Sequence, residues 1–180
     1  QREPMDACGL RPTIEAAFRR APMASPYQPS LLRLVHGLTS IGVLGAWVSG
    51  VLIYSAYDGR WGKLPFQPPG DWIEWHGYLG LVLLVPAIGL ALYSFSLGRQ
   101  RLGRASNALP LIALAIALVS GLLMEGDWLE EGQLQATVYS LHLTGWLLLS
   151  LSLVAHLAGL LRRGGWPLAG SIVSLAVRPG

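Results

Sequence analysis

Charge is scarce in this 180-residue chain. Asp, Glu, Lys and Arg make up 13% of it, against 52% hydrophobic residues. Ordinary soluble domains carry about 25% charged residues. So little charge excludes a disordered chain and argues against a water-soluble enzyme. Cysteine is nearly absent as well. Cys8 stands alone, which excludes an internal disulfide, a cysteine metal cluster and a C-x-x-C-H attachment site for covalent haem. No residue set suggests a nucleophile, a general acid/base pair or a nucleotide-binding fold.

The missing charges leave four uncharged windows: Leu34 to Tyr57, Trp75 to Gly98, Ala105 to Met124 and Gly132 to Leu161. A helix rises about 1.5 Å per residue, so about 20 residues cross the hydrocarbon core. Inside lipid the backbone must bond to itself, and Leu/Ala/Val/Gly runs do so as helices. The expectation is an all-α membrane protein, a bundle of four transmembrane helices over about 31–57, 72–98, 105–124 and 137–161, with Pro86 a kink point in the second. Residues 1–30 are rich in proline and read as an extended segment. With Met23 opening a compact run before the first span, residues 1–22 receive little functional weight. Residues 31–163 form the membrane domain. The short apolar stretch within 164–180 reads as an interfacial tail, with partner docking as the competing role.

Four spans put both termini on one side. That side holds Arg2, Arg11, Arg19, Arg20 and Arg33, then Arg99, Arg101 and Arg104, then Arg162, Arg163 and Arg178. The other holds only Arg60 and Lys63, against seven acidic residues between Asp58 and Glu131. The positive-inside rule then makes both termini cytoplasmic, in a bacterial plasma membrane or an internal energy-converting membrane. The net charge of +3 reflects this topology. It does not point to nucleic acid, because no basic-aromatic surface is left over. The acidic outer loop from Glu125 to Glu131 is the counterpart of the same bias.

All four histidines fall inside the spans, where ionisable groups are costly and mark function. His36 and His156 lie near the cytoplasmic ends of spans one and four. His76 and His142 lie near the outer ends of spans two and four. His142 and His156 are fourteen residues apart, so fourteen steps of about 100° end about 40° short of four turns and put both on one helix face, about 21 Å apart. Bis-imidazole ligation of haem iron needs two histidines facing each other at equal depth, and His36/His156 and His76/His142 meet that condition. Such ligation leaves no open iron position and favours electron transfer. Zinc fits less well, since neither pair has a cysteine or an intramembrane carboxylate to complete a tetrahedron. The competing reading is interhelical hydrogen bonding by histidines in a haem-free scaffold.

With single histidines in Leu34-Val35-His36-Gly37 and Glu74-Trp75-His76-Gly77, and the His142/His156 pair on the last span, residues 30 to 163 resemble the prokaryotic cytochrome b561 family. The related b-type subunits that anchor some hydrogenases and formate dehydrogenases belong to the same broad group. The resemblance implies a four-helix bundle and two non-covalent haems b, with the first-span histidine paired to the later one of span four and the second-span histidine to the earlier one. It implies electron transfer linked to a quinone or quinol, or to a redox protein partner. The same features suit a haem-containing anchor subunit of a larger membrane complex, and a homo-oligomer is open.

Haem propionates need basic or hydrogen-bonding partners. Arg33, Arg162 and Arg163 are candidates for the inner group, and Arg60 and Lys63 for the outer; lipid or topological roles compete. Gly37, Gly45 and Gly77 are places where a porphyrin face or a neighbouring helix approaches the backbone. Trp146, one turn after His142, is a candidate to pack on the outer group. Trp72, Trp75 and Trp128 read as an aromatic belt. Tyr139 belongs either to that belt or to a quinone pocket.

Overall fold

The structure, a computed structural model, describes residues 30–125 and 132–172. Cys8, the rest of the N-terminal segment, most of the acidic loop with Trp128, and the last eight residues lie outside the described part. Among the described residues the elements are all helical: α1 (Ser30–Tyr57), α2 (Trp72–Phe95), the single turn α3 (Arg99–Leu102), α4 (Ala105–Glu125) and α5 (Gln133–Gly170). Four of these, all but α3, are long and apolar enough to cross a membrane. Asp71 caps the N-terminus of α2 by accepting the Glu74 amide at 3.0 Å, which satisfies one of the donors a helix start leaves open.

The second span ends three residues before the end of the uncharged window that announces it. The helix stops at Phe95, where the Ser96 hydroxyl donates back to the Leu92 carbonyl and the Gly98 amide to that of Tyr93. Lack of charge does not mark a helix end; backbone hydrogen-bond capture does. Conversely, α5 begins before 137 and continues past 161 through Arg162 and Arg163. It breaks at Gly165 (φ 61°), a left-handed conformation that favours glycine, immediately before Trp166 and Pro167. Neither Pro86 nor Pro110 interrupts its helix.

α1 packs on α2 and α4 packs on α5, so the bundle is two hairpins, joined chiefly along α2 and α4. Between α1 and α5 the links described are side chains. Trp47 Nε1 donates to Ser150 Oγ at 2.9 Å, and Tyr139 Oη donates to Asp58 at 2.8 Å. A single buried cluster of Val43, Leu83, Ala87, Ala113, Leu114 and Leu149 binds all four helices. Large apolar side chains such as Ile41, Val82 and Val85 are 70–75% exposed, as expected of a surface whose solvent is lipid.

Glycine sets the approach within each hairpin. A Cβ on Gly145 would meet the Ala117 backbone nitrogen and Ile116 Cγ2 at 3.0 Å, while one on Gly37 meets nothing within 4 Å. Gly145→Val should therefore force α4 and α5 apart. The expected cost is about 1–3 kcal/mol, the usual range for overpacking. It should appear as a lower unfolding temperature in detergent, with Gly37→Ala close to wild type.

Candidate functional site

The site begins with the hydrogen bonds of the four imidazoles. His142 Nδ1 lies 3.0 Å from the Ala117 carbonyl, and His156 Nδ1 lies 2.8 Å from that of Ser106. A carbonyl only accepts, so in both rings Nδ1 carries the proton. Neutral imidazole then has its lone pair on Nε2. His76 Nδ1 contacts Ser49 Oγ at 2.9 Å, and the hydroxyl hydrogen of Ser49 is already directed to the Gly45 and Ala46 carbonyls. Ser49 therefore accepts from His76. His36 repeats the pattern with Ser40 at 3.3 Å, whose hydrogen goes to the His36 carbonyl at 2.8 Å. Three rings are thus fixed in one tautomer, with Nε2 as the available ligand atom, and the Ser40 contact suits the same tautomer in His36. An outer partner that fixes Nδ1–H in this way is the usual support of a metal-binding histidine.

The Ser106 carbonyl is available to His156 for a covalent reason. Its ordinary helical partner is the amide four residues on, and that residue is Pro110, which has no N–H. The adjacent Arg163 lies over the same turn. Its Nε donates to the Gly159 carbonyl at 2.8 Å and its Nη2 to Ser106 Oγ at 3.5 Å.

The rings face each other in two pairs. The centres of His36 and His156 are 6.3 Å apart with planes at 31°, and those of His76 and His142 are 6.0 Å apart with planes at 90°. A metal–imidazole bond runs about 2 Å and the ring centre lies about 1 Å behind the bonding nitrogen, so two rings holding one metal from opposite sides have centres about 6 Å apart. Both separations fit. Ring planes are free to turn about that axis, so neither interplanar angle conflicts. Among the described residues no cluster of three or more His, Cys, Asp or Glu is arranged to hold a bare ion.

His76 and His142 open into a cavity of about 670 Å³ lined from all four spans, within the usual range for a small-molecule or cofactor pocket. Gly50 and Gly121 make room for these rings: a Cβ there would stand 3.2 Å from His76 Cε1 and 3.3 Å from His142 Cε1. Trp146 lines the cavity, stacked on Trp47 (6.0 Å) and Tyr54 (6.4 Å), with its buried Nε1 lacking a hydrogen-bond partner.

The other candidates separate. Gly77 lines the cavity beside the Glu125 carboxylate. Gly45 faces Leu79, a helix-packing contact, and Gly37 has open space before it. Arg60 lines the cavity but is bound to Asp58 at 2.7 Å. That bond, with the Tyr139 hydroxyl, holds the Asp58 carboxyl below its ordinary range and raises Arg60 further. Lys63 is exposed in the α1–α2 loop and does not line the cavity; Arg162 is exposed and Arg33 half-buried at the opposite end. Charge counting assigns Asp58 and Glu125 to the outer surface; both line the cavity. Sequence reading also passed over Ser40, Ser49, Ser106 and Ser120. The one signal for two of them was Val-Ser-Gly, which occurs at 48–50 and again at 119–121.

A sequence model of the family described as prokaryotic cytochrome b561 matches residues 27–172, which include all four spanning helices and all four histidines. No curated protein and no solved structure matches the chain. The chain belongs to the prokaryotic cytochrome b561 family, membrane b-type cytochromes that bind haem b and transfer electrons.

Proposed function

We propose that this protein is a di-haem cytochrome that carries electrons across the membrane, between a quinone pool or redox partner at one face and an acceptor at the other. The observation that carries the reading is the pair of facing imidazole couples, with centres at 6.3 and 6.0 Å and every Nδ1 engaged by a hydrogen bond. His36 and His156 would hold one haem b and His76 and His142 the other. Haem b held by two imidazoles supplies one-electron transfer at an iron without an open position.

The residues around each pair serve that chemistry by what they exclude and orient. Ser40, Ser49, Ser106 and Ala117 fix the rings through Nδ1. The apolar walls of the outer cavity, including Ile53, Leu81 and Leu118, keep water away. Arg33, Arg162 and Arg163 supply positive charge at the inner end for anionic propionates. At the outer end Arg60 and Lys63 are the available cations, with Arg60 sharing its charge with Asp58. Eleven of the thirteen basic residues on one side support cytoplasmic termini.

Two measurements test this. Purified protein should hold two haems b per chain and give a b-type reduced-minus-oxidised spectrum; correctly assembled protein without that signal sinks the reading. His156→Ala should lose the inner haem and keep the outer one, halving the haem content. Equal loss of both haems, with the fold intact, contradicts the assigned pairs.

A further inference from the structure

The outer site is built twice from one pattern. Ala46-Trp47-Val48-Ser49-Gly50 on α1 recurs 71 residues later as Ala117-Leu118-Val119-Ser120-Gly121 on α4, and His76 on α2 recurs 66 residues later as His142 on α5. The same two offsets carry Val43 onto Leu114 and Leu83 onto Leu149, and all four of these sit in the one buried cluster. The correspondence extends to the bonds. Ser49 Oγ lies 2.9 Å from His76 Nδ1, and Ser120 Oγ lies 3.2 Å from His142 Nδ1. The Ala46 and Ala117 backbones hydrogen-bond to the same two rings. Gly50 and Gly121 each admit the ring that their serine holds. The two hairpins thus carry matched residues in the same helix order, and parallel repeats of this kind are a known way of building membrane bundles. The inner pair does not share this origin. By the same offsets His36 falls on Asn107, and His156 falls on Leu90.

Ser49 and Ser120 are also the most deeply buried side chains described, at 2% and 0% exposure. Each donates to carbonyls of its own helix, at 3.0 and 3.1 Å for Ser49 and 2.6 and 3.1 Å for Ser120. Each is thereby left as an acceptor toward a histidine. An acceptor on Nδ1–H pushes electron density into the ring and makes Nε2 a stronger donor, which favours the oxidised state of a bound metal.

Building on the haem reading, we propose that Ser49 and Ser120 are matched positioning residues of a duplicated half-site, which together set the reduction potential of the outer centre and leave the inner one alone. Alanine removes one acceptor from each ring but leaves the Ala46 or Ala117 backbone bond, so the change is partial and similar at the two positions.

The test is an optical redox titration of full-length, haem-loaded protein in detergent. The outer component is identified as the one lost in His76→Ala. Ser49→Ala and Ser120→Ala should each move the outer midpoint to more positive potential, by similar amounts that add in the double variant, with the inner midpoint unchanged. Ser152→Ala is the control. It removes another buried serine, one that bonds only the Leu149 carbonyl, and should not move the outer midpoint. An outer midpoint indifferent to both serines, one that Ser152→Ala moves as far, or equal movement of both centres overturns the proposal. Wild-type protein without two b-type components defeats the haem reading and this inference with it. Wild-type protein with both components, whose outer midpoint ignores the serines, defeats this inference alone.

Discussion

A ring nitrogen carried into lipid must find a partner, and the architecture follows from where each imidazole finds its own. Unpaired polar groups there cost several kcal/mol. His76 on α2 reaches Ser49 on α1; His142 and His156 on α5 reach Ala117 and Ser106 on α4. Three of the four Nδ1 bonds therefore stitch a hairpin together. Each facing pair takes one histidine from each hairpin, so the same rings also bring the two hairpins together. Intramembrane hydrogen bonds are worth only about 0.6 kcal/mol on average, so these stitches matter more for orientation than for stability. They decide which nitrogen is free.

The seam between hairpins has a different character from the hairpins themselves. Within a hairpin, glycines let backbones close: Gly42 and Gly45 receive Leu83 and Leu79, and Gly145 receives Ile116. Gly45/Leu79 and Ile116/Gly145 are equivalent positions with the small residue on opposite helices, so the two hairpins solve one packing problem in mirrored ways. Between α1 and α5 the contact is made instead by a stack of Trp47, Trp146 and Tyr54, one Trp–Ser bond and the Tyr139–Asp58 bond. A seam of aromatic rings around a cavity is poorer in dispersion contacts than a packed interface. A planar cofactor held there by both hairpins would stabilise the assembled state over the parted one through mass action.

The spans, and which histidines share a level along them, were legible because both depend on a quantity carried by the sequence itself: runs without charge. Helix ends were less so. Phe95 ends α2 within an uncharged window because Ser96 and Gly98 capture the last carbonyls, and α5 passes Arg162 and Arg163 because nothing stops a helix there until Gly165. The supporting serines were not legible one by one. Serine in a membrane helix ordinarily bonds back to its own helix, and Ser49 and Ser120 do that too. Only their burial against an imidazole distinguishes them. Asp58 and Glu125 were hidden for another reason: residues at span ends count as surface in any charge tally, yet a cavity that opens at that level takes them as its lining.

The His36/His156 pair forms where the repeated positions offer no counterpart. His76 and His142 occupy matched positions of the two hairpins and their rings lie 6.0 Å apart. His36 on α1 and His156 on α5 are not equivalent, so no duplicated cradle supports them. Their supports are local instead. His36 uses Ser40, one turn along its own helix, at 3.3 Å. His156 uses the one carbonyl in the first turn of α4 whose helical donor has been removed by Pro110. Proline inside a helix is ordinarily a loss of a hydrogen bond, and in lipid the orphaned carbonyl would be an expensive one. Here the loss and the need cancel. The imidazole requires an acceptor, and the proline has left one unpaired, at the level where Arg163 also closes over the α4 turn.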